Sequence, residues 1–225
     1  MKGTVIDPMA DNDQLRGRSL RYWNKHAASY DKQMGFFDRV LFADTRAWIC
    51  AQAEAAVLEI AIGTALNLEH YPREIELTGL EQSPAMLELA RRRAEEQGVK
   101  VDLRLGDALA LPFANDCFDT VVCTFSLCEI PDVDQAVAEM HRVLRPGGLL
   151  LLADHVASTA WGMRIIQRGL ELITIPLGGE HFLRRPSQHL AAAGFEIEQR
   201  QRFTAGIVER LTARKPTHPT TGTTP

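Results

Sequence analysis

Residues 56–65 read Ala-Val-Leu-Glu-Ile-Ala-Ile-Gly-Thr-Ala: a short apolar run of strand length that ends in a tight turn of small residues. Small side chains at 61, 63 and 65 let backbone approach a bound ligand closely. Glu81 ends the next apolar run, Glu76–Leu80, 18 residues after Gly63. A carboxylate at that spacing can accept hydrogen bonds from both hydroxyls of a ribose. The turn is not GxGxxG. On this segment alone a nicotinamide-dinucleotide site, another nucleotide cofactor and a ligand-free βα turn all remain open.

Outward from this turn, strands and helices alternate. Val101–Leu105, Asp119–Thr124 and Leu149–Ala153 are further short, largely apolar runs of strand length, which suit parallel strands covered on both faces. Ser83-Pro84 starts a helix as N-cap and first-turn proline, and Gly98 closes it. Val133, Ala136, Val137, Met140 and Leu144 form one helical stripe, which Arg145-Pro146-Gly147-Gly148 terminates. Repeated βα units predict a doubly wound, Rossmann-like sheet with right-handed crossovers. Pro186–Ala193 reads as a short helix closed by Gly194. After it, Phe195–Arg202 and Ile207–Ala213 read as a hairpin, an antiparallel edge that makes seven strands. Leu20–Tyr30 and Phe36–Cys50 read as two N-terminal helices capping the carboxyl ends of the strands.

The composition suits this reading. The chain has 225 residues, 45% of them hydrophobic, enough for one α/β domain. The expected division is a flexible N-terminus over 1–18, one domain over 19–215 and a Thr/Pro-rich tail over 216–225. Met1–Asp13 is polar and patternless, and Pro216–Pro225 cannot contribute to a core. The balance of 25 Lys+Arg against 29 Asp+Glu, net −4, argues against a nucleic-acid partner held by a basic field. Cys50, Cys117, Cys123 and Cys128 form no CxxC pair, so no metal site is expected. Met1–Ala10 contains Asp7 and Pro8 and no apolar segment, and no run reaches the roughly 18 residues of a membrane span. The expectation is a reduced, cytoplasmic protein. Nothing in the sequence sets its oligomeric state.

Three further motifs narrow the function. Leu105-Gly106-Asp107-Ala108-Leu109-Ala110-Leu111-Pro112-Phe113 follows the third strand, Phe118-Asp119-Thr120-Val121-Val122 opens the fourth, and Leu144-Arg145-Pro146-Gly147-Gly148 precedes the fifth. In order and spacing the chain resembles the class I S-adenosylmethionine-dependent methyltransferases, in particular the small-molecule branch containing ubiquinone/menaquinone C-methyltransferases. The resemblance spans Tyr22–Arg214 and is most specific from Val57 to Asp154. It implies S-adenosyl-L-methionine as cofactor. Glu59, Ala61, Gly63 and Thr64 would line its methionine part, and Glu81 would bind the ribose, with Gln82 and Met86 beside the adenine. Asp107 would accept from the adenine amino group and Ala108 would donate its backbone N–H. Thr124 and Phe125 would lie beside the sulfonium, and Tyr30 would close as a lid. Two residues depart from the pattern: Ala61 replaces the first glycine, and Ala65 the third, where its methyl would crowd the cofactor's carboxylate.

Methyl transfer needs alignment and water exclusion more than an enzyme nucleophile. A general base is needed only where the acceptor holds its proton near neutral pH. His155, after the fifth strand, and His181, in a glycine-flanked loop, are the candidates; a structurally hydrogen-bonded histidine is the alternative for each. Arg91-Arg92-Arg93 reads as a solvated face. Trp161–Leu177 is amphipathic, either a helix covering the core or a wall of an apolar acceptor pocket with membrane-surface contact. Together Leu20–Val40 and His155–His181 offer Tyr22, Trp23, Tyr30, Phe36, Phe37, Trp161, Met163, Ile166 and Leu170, a set suited to a small hydrophobic acceptor. The alternatives are a nicotinamide-dependent oxidoreductase and a non-catalytic S-adenosylmethionine-binding protein.

Overall fold

The computed structural model describes residues 8–217. Seven strands form one sheet: β1 (Ala56–Ile60), β2 (Glu76–Glu81), β3 (Asp102–Leu105), β4 (Phe118–Thr124), β5 (Leu144–His155), β6 (Glu196–Phe203) and β7 (Val208–Arg214). Their order is β3-β2-β1-β4-β5-β7-β6. The first five are parallel, and β7 pairs antiparallel with both β5 and β6. The doubly wound sheet and its antiparallel edge are as the sequence predicts. The chain moves outward from β1 to β3, then crosses back to β4, so the topological switch point lies between β1 and β4. Ligands of open α/β sheets bind at the carboxyl ends of the strands there.

The central strands are mainly apolar because both faces are covered. Leu58, Ile60, Val121, Cys123, Leu150 and Leu152 pack on one side with α4 (Val133–Val143). Val57, Val122, Leu151 and Ala153 pack on the other with Ile49 and Cys50 of α2 (Thr45–Cys50) and Ala90 and Ala94 of α3 (Pro84–Gln97). The α3 ends are the expected ones: Ser83 accepts from Met86 N at 3.2 Å, and Gly98 adopts φ +63°. Leu144 begins β5 rather than completing the preceding helix, because Leu144 pairs with Phe118 across the sheet.

The N-terminal region departs from expectation. A single helix, α1 (Pro8–Phe37), replaces the shorter predicted Leu20–Tyr30 and begins inside the stretch expected to be flexible. A π-turn over Asp38–Phe42 follows, and of the predicted second helix Phe36 and Phe37 belong to α1 while Thr45–Cys50 forms a separate short α-helix. Tertiary anchors explain its persistence. Thr64 Oγ1 donates to Asp31 at 2.6 Å, Ser83 Oγ donates to Asn24 at 2.7 Å, and Arg93 pairs with Asp31. These tie α1 to the β1 turn and to α3. The helices α5 (Trp161–Gly178) and α6 (Pro186–Ala192) complete the fold. The last residues of the expected tail, from 218 on, lie outside the described residues, as do residues 1–7.

Candidate functional site

A cavity of about 520 Å³ opens at the carboxyl ends of β1, β2, β4 and β5, roofed by α1 and α5. Nine of the twelve expected cofactor residues line it: Tyr30, Ala61, Gly63, Glu81, Gln82, Met86, Asp107, Ala108 and Phe125. Glu81 is buried where β2 ends. Its Oε2 accepts the Gly63 N–H at 2.9 Å and its Oε1 the Ser83 N–H at 2.8 Å. Burial raises its pKa, and those two backbone N–H groups oppose the rise. Gly63 adopts φ +60°, and a Cβ there would meet nothing closer than Tyr30 Cε1 at 3.9 Å. The requirement for glycine is therefore one of backbone conformation, with open space in front. Asp107 Oδ1 accepts from Leu109 N at 2.9 Å, and its other oxygen pairs with Arg16 of α1.

Glu59, Thr64 and Thr124 stand outside the cavity wall and support it from behind. Asn67 Nδ2 donates to Glu59 at 2.7 Å and to Thr124 Oγ1 at 2.9 Å, and Tyr71 OH donates to the other Glu59 oxygen at 2.9 Å. Burial pushes the Glu59 carboxyl up to about 7. Arg46, also buried, donates to Asn67 and Asp38 at 2.9 Å each and lies 5.1 Å over the Phe125 ring. Phe125 itself takes φ +53°, a conformation that costs a bulky residue about 1–3 kcal/mol and is met mainly at functional sites. Ala65 also has positive φ, +63°, but is fully buried in the core and does not line the cavity. Its methyl lies in the core rather than on the cavity wall where the expected crowding of the cofactor would arise.

The two histidines differ. His155 lines the cavity, packed against the rings of Phe42, Phe125 and Phe182. Burial depresses its pKa to about 4, so it is neutral at pH 7. His181 does not line the cavity; its backbone N–H donates to Cys128 O at 2.9 Å. Two groups absent from the sequence reading do line it, Glu129 and Glu180. Trp23 Nε1 donates to Glu129 at 2.5 Å. Glu180 is pushed up to about 7 by burial and by Asp154, and Glu129 is raised by burial and by Glu180. Their signal in the sequence is a lone acid in each of two otherwise apolar or glycine-rich loops, Ser126–Pro131 and Gly178–Phe182.

Helix α5 is the wall rather than a core cover. None of its apolar side chains is buried in the core. Met163, Ile166, Leu170 and Leu177 edge the cavity, while Trp161 is 73% and Leu172 77% exposed. Buried Gln167 anchors it to the end of β5, donating to Val156 O at 2.9 Å and accepting from Ser158 N at 2.8 Å. Phe36 and Trp161, of the aromatic set expected at the acceptor pocket, face outward instead.

Residues 58–152 match a methyltransferase-domain family. A phosphatidylethanolamine N-methyltransferase of Cereibacter sphaeroides is 33% identical over 72% of this chain and 78% of its own length. A demethylmenaquinone methyltransferase of Deinococcus radiodurans is 36% identical over 65% and 64%. In fold the chain is similar to a SAM-dependent methyltransferase of Thermotoga maritima, with TM-score 0.68 and 21% identity over 87% of this chain and 99% of that one. The chain belongs to the S-adenosylmethionine-dependent methyltransferases, and S-adenosyl-L-methionine is its cofactor. That membership sets aside the nicotinamide-dependent alternative. The residues present fit the group. Two carboxylates, Glu81 and Asp107, can accept from hydroxyl and amino donors, and Leu80, Met86, Ala108 and Ile130 offer an apolar slot between them.

Proposed function

We propose that this methyltransferase acts on a small amphiphilic acceptor drawn from a membrane surface. The observation that carries this is the shared use of α5. One side of the helix edges the cavity, and the other exposes Trp161, Ile165, Leu172 and Ile173 beside Arg164 and Arg168. Apolar side chains flanked by arginines suit the interface of an anionic bilayer. No described helix is long and apolar enough to cross a membrane. The compounds named for the two curated relatives, phosphatidylethanolamine and demethylmenaquinone, are both long-chain lipids, which supports this class of acceptor.

When bound, S-adenosylmethionine supplies a methyl group on a positively charged sulfur. For the chain's own part, Glu81 would hold the ribose, Asp107 and Ala108 the adenine with Gln82 and Met86 at its side, and Ala61 and Gly63 the methionine end. Glu59, Thr64 and Thr124 would act through Asn67, Asp31 and the β1 turn. Tyr30 and Phe125 would exclude water above and below the reacting centre, and alignment of this kind can supply about 7–11 kcal/mol. The test is co-sedimentation with vesicles alongside methyl transfer. Retention on anionic vesicles together with a methylated lipid supports the reading. Turnover only of sugars or free nucleotides overturns it.

A further inference from the structure

Carboxyl groups serve two separate regions of the cavity. Glu81 ends β2 and Asp107 follows β3, on one side of the switch point, where a nucleoside's donors would meet them. Glu129 and Glu180 belong to the loops after β4 and α5, on the other side, and no nucleoside contact accounts for them. Behind them Asp154, at the end of β5, is buried and accepts from the backbone N–H of Cys128, in the loop after β4, at 2.9 Å and of His155 at 2.7 Å. Among the described residues no lysine or arginine forms an ion pair with Glu129 or Glu180, and no hydrogen bond reaches the Glu180 carboxyl. Arg184, whose charge acts on Asp154 and Glu129, donates to the carbonyl oxygens of Leu127 and Ile130. The remaining neighbours supply no charge: a Glu180 oxygen, a His155 ring nitrogen and Cys128 Sγ lie within 4.8 Å of one another, with the imidazole neutral and the thiol protonated. Tyr22 and Trp23 close this corner edge to face, with centroids 5.0 Å apart.

We infer that Glu129 and Glu180, with the rings of Tyr22 and Trp23, form a recognition site for an alkylammonium group on the acceptor, and that Glu180 takes a proton from it. The inference rests on the methyltransferase reading and deepens it, by fixing the reacting atom as an amine nitrogen. Burying unpaired carboxylates is costly, so a wall of this kind selects a cation, and aromatic faces add to that preference. An uncharged ring carbon would leave Glu180 without a partner and Glu129 with the Trp23 indole N–H alone. An ammonium nitrogen has no lone pair, so one N–H proton must pass to the Glu180 carboxylate first. The freed pair then forms the N–C bond, and the pair of the broken C–S bond stays on the sulfur, which becomes neutral. With its proton affinity raised to near neutrality by burial and Asp154, Glu180 is matched to that task.

The probe is octyltrimethylammonium, which carries the charge but has no N–H and no lone pair, compared with 1-octanol of similar chain length. Binding of each is measured by calorimetry to the full chain, to Glu180→Gln and to Glu129→Gln, with S-adenosylmethionine binding measured on the same samples. The wild type should bind the ammonium at least about tenfold more tightly than the alcohol, and increasingly so as pH rises through 7 and Glu180 ionises against Glu129, Asp154, Cys128, His155, Tyr22 and Arg184. Each variant should lose that preference while keeping its octanol and S-adenosylmethionine affinities. Equal or tighter binding of octanol by the wild type, or a preference surviving in either variant, overturns the inference. Loss of S-adenosylmethionine binding by the wild type would instead strike the reading beneath it.

Discussion

The Glu81 carboxylate accepts the backbone N–H of Gly63 at 2.9 Å, clasping the β1 turn to the end of β2. One side chain thus fixes the geometry of the site and supplies its proposed ribose ligand.

Replacing Glu81 with Ala should therefore have two effects. Kd for S-adenosylmethionine should rise at least about tenfold, since hydrogen bonds to a charged group are worth about 1.5–3 kcal/mol each. Stability should fall by about 1–3 kcal/mol, because Gly63 and Ser83 lose their acceptor. Calorimetry and thermal unfolding measure the two separately. An unchanged Kd would remove Glu81 from the cofactor site.

Ala65→Gly should leave cofactor affinity within twofold of wild type. The Ala65 methyl packs into the core, and relief of its positive φ is offset by lost burial and added unfolded-state entropy. A large gain in affinity would mean that the methyl reaches the ligand after all.

Stability should fall as pH rises from about 4.5 to 7. Glu59 and Glu180 titrate near 7 and Asp154 near 6 in the folded chain, all raised by burial. Over this window the folded state holds protons that the unfolded state has released, which disfavours folding by about 1.4 kcal/mol per group for each pH unit. His155, depressed to about 4, works the other way between 4 and 6.5, as do His141 and His181, both lowered by burial, while Glu81 and Glu129, raised by burial, add to the three acids. Asp119 and Glu139, lowered with Arg145 and Arg142 as partners, act below that window. The melting temperature should be higher at pH 5 than at pH 7.5, and Glu59→Gln should flatten the profile. A rise from pH 5 to 7.5 would contradict the burial of these acids.

Leu172→Glu and Ile173→Glu should each weaken binding to anionic vesicles by about tenfold or more. Each removes exposed apolar surface worth roughly 0.8 kcal/mol per inserted CH₂ and adds a repelled charge. Trp161 fluorescence should shift to shorter wavelength on vesicle addition, and cofactor affinity should not change. Vesicle binding untouched by both substitutions would show that α5 does not face the bilayer.

The central strands were legible because each carries a short, mainly apolar run, and α3 because Ser83, Pro84 and Gly98 mark its ends. The cavity residues after β1, β2 and β3 were legible for a similar local reason: Gly63, Gln82 and Asp107 follow closely on their strands. The long α1 was not, since Pro8–Asp13 carries no apolar period and the helix is held by distant partners, Thr64, Ser83 and Arg93. Glu129 and Glu180 escaped notice because 51 residues separate two loops that meet only in space. His155 looked like a base from its place after β5, yet the rings of Phe42, Phe125 and Phe182 that keep it neutral come from three separate segments.

The most direct measurement follows a labelled methyl group from S-adenosylmethionine in the presence of mixed lipid vesicles, RNA and an unfolded protein. The account predicts that label enters the organic phase with the lipids and that RNA and protein stay unlabelled. Label in RNA or protein, with none in the lipid fraction, would contradict it.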